Sequence, residues 1–348
     1  MVSVSDQRKA EIITKSLPGK DVNDIRLTRL DQIIGQPQII EMLKVYLLAR
    51  SNRRAKADAS SLSFGPTLLT GPAGFGKTSL AKALHIALDN DRLVETNGAT
   101  LNSRIELYST LINLDSQTTF FIDEAHALEA KAQNILLTAI SERILRVPAG
   151  MDSTRGYTIP LADFTLILAT TDEYLLRDAL RSRMLIKCRF NYYSDADLAE
   201  IGRQRAIILN WKYESEQVLR IIAQRAKGTP RQALHNLQTC WEVTQSYGRD
   251  IITIADVQRA FHYLRIDELG LDERDRNYLK VLAEYGPTQL TVLGSKLDLS
   301  ALTIHRVVEP YLFREGFVIK GKSALRVLTE KGRNHIQVGY VEVTKTNA

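Results

Sequence analysis

The stretch from Thr67 to Leu80, TLLTGPAGFGKTSL, constrains what this 348-residue chain can fold into more than any other. Thr67-Leu68-Leu69-Thr70 reads as a short buried strand between Pro66 and Gly71, and from Thr78 onward Leu80, Ala81, Ala83, Leu84, Ala87 and Leu88 recur at helical spacing. Between strand and helix lies the pattern G-x-x-x-x-G-K-T, Gly71 to Thr78. Such a turn must aim several backbone N–H groups at one point, which Gly71, Gly74 and Gly76 permit because they lack a Cβ. A phosphate suits that point. The helix N-terminus adds partial positive charge, Lys77 can reach β- and γ-phosphates, and the Thr78 hydroxyl can hold Mg²⁺. The alternative is an incidental Gly-rich turn, but the strand before and the helix after are the context a phosphate loop requires.

The apolar run Thr118-Thr-Phe-Phe-Ile predicts a second buried strand that ends in Asp123 and Glu124. Shorter strands are expected at Leu93–Thr96, Phe164–Ala169 and Ile186–Phe190, with helices between them, which predicts a parallel, doubly wound α/β sheet. In such sheets ligands lie beyond the carboxyl ends of the strands, so Asp123 and Glu124 should face the phosphates. Asp123 can then hold the Mg²⁺ hydration shell and Glu124 can polarise an attacking water. An Asp-Glu pair at a strand end can instead cap a helix; a phosphate loop upstream favours the catalytic reading. A hydroxyl at Thr170-Thr171 lies at the same edge and can contact the γ-phosphate or the water. The segment 143–161, RILRVPAGMDSTRGYTIPL, reads as a hairpin standing out from the sheet.

Composition narrows the class. No apolar run approaches the roughly 18 residues a membrane span needs, and the N-terminus is polar, so a cytoplasmic protein with no membrane partner is expected. Cys188 and Cys240 are far apart and form no metal-like pair, which implies a reducing compartment. The net charge of +6 favours a polyanionic partner such as nucleic acid.

Residues 1 to 22 are expected to be a mobile arm, followed by a helix from Pro37 to about Arg50 and a polar connector, Ser51–Ser63. The large α/β domain is expected over 23–190 and a small helical lid over 191–265. Leu176 to Met184 carries Arg177, Arg181 and Arg183, either a solvated face or the source of a finger reaching a neighbouring subunit's nucleotide. Gly228-Thr229-Pro230 ends one helix and starts the next, placing Arg231 at a helix N-terminus where a phosphate partner would explain its charge. Residues 266–338 read as helix, helix, helix (Ala301–Glu315) and hairpin: a winged helix with Arg306 and Arg314 on the recognition helix and Lys320, Lys322 and Arg326 on the wing, ahead of a 339–348 tail. Protein docking or a purely structural role is the other use of such a module.

Taken together these motifs resemble the RuvB family of AAA+ motors, which drive Holliday junction branch migration in recombination and repair. The family's GPPGLGKTTLA is similar to Gly71-Pro-Ala-Gly-Phe-Gly-Lys-Thr-Ser-Leu-Ala, its FIDEIH to Phe121-Ile-Asp-Glu-Ala-His, its GATTR to Leu168-Ala-Thr-Thr-Asp and its LRDRF to Leu180-Arg-Ser-Arg-Met. GTPR matches Gly228-Thr-Pro-Arg, and Val308-Glu-Pro-Tyr-Leu-Phe-Arg-Glu-Gly-Phe is close to the winged-helix signature. The resemblance implies an AAA+ P-loop NTPase core with a helical lid and a C-terminal winged helix, working on ATP and Mg²⁺ as a ring, with a hexamer expected. It places nucleotide against Gly71, Ala73, Gly74, Phe75, Gly76, Lys77, Thr78 and Ser79, and adenine among Ile33, Ile34, Tyr193 and Pro230. It also makes Arg183 the arginine finger, Thr170 sensor 1 and Arg231 sensor 2. The implied partners are double-stranded or four-way junction DNA and a RuvA-like protein on the 143–161 hairpin. Departures are Ala73 for proline, Phe75 for leucine, Asp172 for arginine after the two threonines, and a wing without the TPRGR sequence. Other readings are a clamp-loader-like or transposition-type AAA+ remodeller, or a nucleotide-switched DNA-binding module. A DEAH-box helicase, suggested by Asp123-Glu-Ala-His, would need a second recombinase-like domain for which the helical region after Phe190 leaves no room.

Overall fold

The structure, a computed structural model, describes residues 27–55, 64–101, 103–148 and 156–336. The expected N-terminal arm, the C-terminal tail and the tip of the 143–161 hairpin lie outside the described residues. Contacts divide the chain into two compact units, one holding the residues up to Asn210 with Gly228–His235, the other Trp211–Lys227 and Asn236 onward.

The first unit is built on a five-stranded sheet: β1 (Thr67–Thr70), β2 (Arg92–Asn97), β3 (Thr118–Asp123), β6 (Thr165–Thr170) and β7 (Ile186–Arg189), in the order β2-β3-β6-β1-β7. All neighbouring pairs are parallel. Every residue of β1 and β6 is buried, as expected of central strands covered on both faces, whereas β2 and β7 at the edges alternate or open to solvent. Helices Lys77–Ala87, Arg104–Ile112 and Ala130–Glu142 form the crossovers. Leu107, Leu111, Phe120, Ile122, Leu136, Leu166 and Leu168 pack into one of the apolar layers. The helix that opens the unit runs Pro37–Ala55, past the expected end at Arg50 and through the good helix formers Arg53, Arg54 and Ala55, while residues 56–63 of the expected connector lie outside the described residues. β4 (Ile144–Pro148) and β5 (Gly156–Pro160) pair antiparallel as the arms of the expected hairpin.

In the second unit, helices Glu216–Gln224 and Ile254–Leu264 accompany two short strands, β8 (Lys212–Tyr213) and β9 (Ile251–Ile252), which pair parallel. A winged-helix module follows. Asp272 caps the helix Glu273–Tyr285 by accepting from the N–H groups of Arg274 and Asp275. Helix Leu290–Leu297 comes next, and then a continuous helical run of Ala301–Thr303, a π turn at Ile304–Val308, and Glu309–Arg314. The π turn has a local cause. Pro310 has no N–H and its ring would crowd the carbonyl four residues back, so the helix widens and Glu309 N–H reaches the Ile304 carbonyl instead. Leu279, Leu282, Leu293, Ile304, Leu312 and Phe317 form the core, closed by the antiparallel hairpin of β10 (Val318–Lys320) and β11 (Arg326–Leu328).

This module corrects one expectation. Arg326, expected on the DNA-facing side of the wing, is buried and forms a two-pronged ion pair with Glu309, Nε to Oε1 at 2.7 Å and Nη2 to Oε2 at 3.2 Å. The Tyr278 hydroxyl donates to Oε1 at 3.0 Å and His305 Nδ1 lies 3.2 Å from Oε2. Burial alone would raise the Glu309 carboxyl, but these donors, Arg326 foremost, bring it below its ordinary value. Its stabilisation is therefore complete above the ordinary carboxylate range and is lost as pH falls through the lowered folded-state value. Arg326→Leu should destabilise the module by about 3–5 kcal/mol, because it strands a buried carboxylate, whereas joint replacement of Glu309 and Arg326 by apolar residues should recover most of that. Amide exchange in the helix Glu273–Tyr285 would register the difference, and equal exchange in the single and double variants would contradict it.

Candidate active site

A cleft of about 560 Å³ opens in the first unit above the carboxyl ends of β1 and β3. The phosphate loop forms its floor. Gly71 (φ 153°), Gly74 (φ 80°) and Gly76 (φ 87°) all take left-handed backbone conformations, and two of them also lack room for a side chain. A Cβ at Gly71 would lie 2.8 Å from Phe190 Cβ, and one at Gly74 2.8 Å from Arg231 Cβ. Arg231 N–H donates to the Gly74 carbonyl at 3.2 Å, which ties the start of the helix Pro230–Ser246 to the loop. Lys77 is buried and its Nζ donates to the carbonyls of Gly71 and Pro72 at 2.8 and 3.0 Å. Burial lowers its pKa and Arg231 adds to that, while Glu124 and Asp123 oppose.

The carboxylates stand where the sequence predicts. The Thr78 hydroxyl donates to Asp123 Oδ2 at 2.7 Å, and Asp123 Oδ1 accepts from Glu124 N–H at 2.9 Å. A hydroxyl and a carboxylate touching at the foot of a phosphate cradle form an all-oxygen donor set, which fits Mg²⁺. Glu124 also lines the cleft. The hydroxyl beside Glu124 belongs to Thr171, at 3.4 Å from Oε2, and this corrects the assignment of Thr170. Thr170 is fully buried, with its Oγ1 accepting from Asp172 N–H at 3.0 Å and lying 3.1 Å from His126 Nδ1.

The remaining walls form a partly apolar slot. Ile33, Ile34, Tyr193 and Pro230 line it together with Ala73, Phe75 and Ser79. Tyr193 is fixed by its hydroxyl, which donates to the Phe75 carbonyl at 2.9 Å. Gly35 (φ 71°) makes way for the Tyr193 ring, since a Cβ there would meet it at 2.7 Å. Sequence reasoning missed the clamp behind this wall: the Gln36 amide donates to the Asn191 carbonyl at 2.7 Å and accepts from Asn191 N–H at 3.0 Å. It also missed Ile201, Gln204, Arg205 and Leu234 on the lining. In the helix Asp195–Leu209 the spacing of Ile201, Gln204 and Arg205, at i, i+3 and i+4, is the signal that puts them on one face.

Family models match across the chain: the Holliday junction DNA helicase RuvB P-loop domain over residues 25–190, the RuvB AAA lid domain over 193–267 and the RuvB C-terminal winged helix domain over 268–337. The Holliday junction branch migration complex subunit RuvB of Fervidobacterium nodosum is 32% identical over 340 residues, covering 97% of this chain and 95% of the relative. The chain belongs to the RuvB family. Its counterpart in Ligilactobacillus salivarius is also 32% identical, over 93% of this chain and 96% of that protein. The Thermotoga maritima RuvB Holliday junction branch migration motor superposes with a TM-score of 0.76 at 30% identity, over 90% of this chain and 98% of that structure.

As an AAA+ ATPase of the RuvB family, the chain carries its remaining candidate residues away from the cleft. Arg183, at the end of the helix Asp178–Arg183, is exposed and does not line the cleft, while Arg181 pairs with Asp178 on the same helix. In the winged helix Arg306, Lys320 and Lys322 are exposed, and Arg314 contacts Glu315, the Tyr311 ring and the Lys227 carbonyl. No helix among the described residues is long and apolar enough to cross a membrane. The cradle yields a direct test. Gly74→Val should weaken binding of an ATP analogue on the order of tenfold, about 1.4 kcal/mol, by driving a side chain into Arg231. Gly248→Val carries similar backbone strain but has nothing within 4 Å, and calorimetric titration should find its affinity unchanged. Equal losses in both variants would rule out the steric argument.

Proposed function

We infer that this chain is the ATP-driven motor of Holliday junction branch migration, assembled as a ring that hydrolyses ATP at its subunit boundaries. The observation that carries the reading is the contact of Thr78 with Asp123, next to Glu124, at the foot of a glycine cradle in a chain that matches RuvB relatives along nearly its whole length. Lys77 would leave the Gly71 and Pro72 carbonyls and turn to the β- and γ-phosphates, whose charge offsets the cost of its burial. Thr78 and Asp123 would hold Mg²⁺, which neutralises phosphate charge when bound. Glu124 orients the attacking water and accepts its proton, Arg231 contacts phosphate, and the slot around Tyr193 receives adenine. Arg183, exposed and outside its own cleft, supplies its guanidinium to the next subunit's nucleotide. In this reading residues 23–190, 191–265 and 266–338 act as ATPase core, lid and winged helix. Arg306, Lys320 and Lys322 meet duplex DNA, and the β4–β5 hairpin docks a RuvA-like protein.

Finger arginines in related NTPases contribute about 10³ to 10⁵ in rate, so Arg183→Ala should abolish turnover while ATP binding persists. Mixing Arg183→Ala with Glu124→Gln subunits should restore on the order of a quarter of the activity, because an intact cleft then meets an intact finger at about one boundary in four. Steady-state ATPase measurements with and without a synthetic four-way junction test both points. No recovery on mixing would sink the shared site, and no junction-stimulated hydrolysis by the unaltered protein would sink the motor.

A further inference from the structure

Ile33, Ile34, Ile201, Pro230 and Leu234 make the slot beside Tyr193 apolar, and Gln204 brings an amide to it. Ile201 and Gln204 stand three residues apart on the helix Asp195–Leu209, so both reach the lining from one face. The Gln204 side chain is half-buried, and its Nε2 donates to the Gln32 carbonyl at 2.9 Å. Gln32 ends the 3₁₀ turn Leu30–Gln32 and leads directly into Ile33 and Ile34. The amide is therefore anchored on the wall of the slot, beside the two isoleucines.

That bond decides which end of the amide is which. A carbonyl oxygen only accepts, so the group facing Gln32 is the NH₂ and the oxygen is turned away from it. Gln32 cannot easily swing to release the amide. Its own Oε1 accepts from the N–H groups of Thr28 and Arg29 at 2.9 and 3.0 Å, and the turn is closed by Ile33 N–H onto the Leu30 carbonyl at 3.2 Å. Among the described residues no group donates to Gln204 Oε1. The slot thus holds an oriented acceptor whose lone pairs are open to a ligand. Purines differ in what they present to such a group: adenine carries an amino group at its 6-position, and hypoxanthine and guanine carry an oxygen there.

We propose that Gln204 selects the base, with Oε1 accepting a hydrogen bond from the 6-amino group of adenine and opposing a purine that has an oxygen at that position. The proposal deepens the ATPase reading and rests on it for the place of the base. A site built to hydrogen-bond a ligand group discriminates against the analogue lacking it, because a polar atom of the site is then left unpaired. The selection acts on binding, so it should appear in affinities measured without hydrolysis.

Calorimetric titration of the full-length protein with nucleoside diphosphates and Mg²⁺ reads the base alone. ADP, purine riboside diphosphate and inosine diphosphate carry an amino group, a hydrogen and an oxygen at the 6-position. The unaltered protein should bind ADP about 3- to 10-fold more tightly than purine riboside diphosphate, the effect of one hydrogen bond, and about tenfold or more above inosine diphosphate. Gln204→Met removes both ends of the amide, and Gln204→Lys keeps a donor for the Gln32 carbonyl without an acceptor. In both, the preference for ADP over purine riboside diphosphate should fall to within about twofold of none. Equal binding of those two ligands by the unaltered protein overturns the proposal without any variant, so misfolding of Gln204→Met or Gln204→Lys cannot shelter it. A variant that weakens every ligand by one factor and keeps the preference assigns Gln204 to holding the turn and overturns base selection. A variant that instead loses discrimination between ADP and 2′-deoxy-ADP overturns it in favour of a ribose contact. An unaltered protein that binds none of these nucleotides overturns the ATPase reading as well.

Discussion

Lys77, Asp123 and Glu124 share one cleft without collapsing onto each other, and the sheet order explains how. β1 delivers the phosphate loop and β3 the carboxylates, with β6 lying between them and keeping the two sets one strand apart. Across that gap they meet at a single hydrogen bond, Thr78 to Asp123 at 2.7 Å. The ammonium of Lys77 is drawn down onto the carbonyls of its own loop instead of onto the carboxylates. A direct lysine–carboxylate pair in this position would satisfy both charges and leave nothing to attract a triphosphate. Carbonyls are weaker partners, so an incoming phosphate can displace them at little cost, and its negative charge offsets the burial that lowers the Lys77 pKa.

Features written into adjacent residues were legible in the chain, and features created by distant residues were not. The phosphate loop, the Asp123-Glu124 strand end and the Gly228-Thr229-Pro230 helix break each follow from local sterics and periodicity. Choosing between Thr170 and Thr171 is a different matter. Successive residues at a strand end point to opposite sides, so an error of one position exchanges a hydroxyl facing Glu124 for one facing His126 and the backbone. The Gln36–Asn191 clamp joins positions 155 residues apart, and no pattern in either neighbourhood announces it.

Arg326 shows the same limit in the winged helix. Its charge and its place in the hairpin sequence are those of Lys320 and Lys322, yet β11 turns it inward onto Glu309, itself brought into the core by the helical run that widens at Ile304–Val308. A buried carboxylate needs a cation of fixed geometry, and the planar guanidinium supplies two parallel donors where an ammonium supplies one point charge. The pair therefore ties the hairpin to the helix Glu309–Arg314, with Arg306, Lys320 and Lys322 left exposed on the outside.

Charge within the cleft bears on why the proposed finger would come from a neighbouring copy. Lys77, Lys82, Arg205 and Arg231 line it with Asp123 and Glu124, and Lys82 pairs with Glu95 at 2.9 Å. A nucleoside triphosphate with its divalent cation carries about two negative charges at neutral pH, and in phosphoryl transfer that charge shifts toward the departing phosphates. Catalysis calls for added positive charge in the transition state and not before it. A further lysine or arginine fixed inside the cleft would tighten ground-state binding as well, with no gain in rate. A guanidinium carried by the adjoining copy, the role proposed for Arg183, would escape that trade, because it could engage when the boundary closes and withdraw when the product leaves.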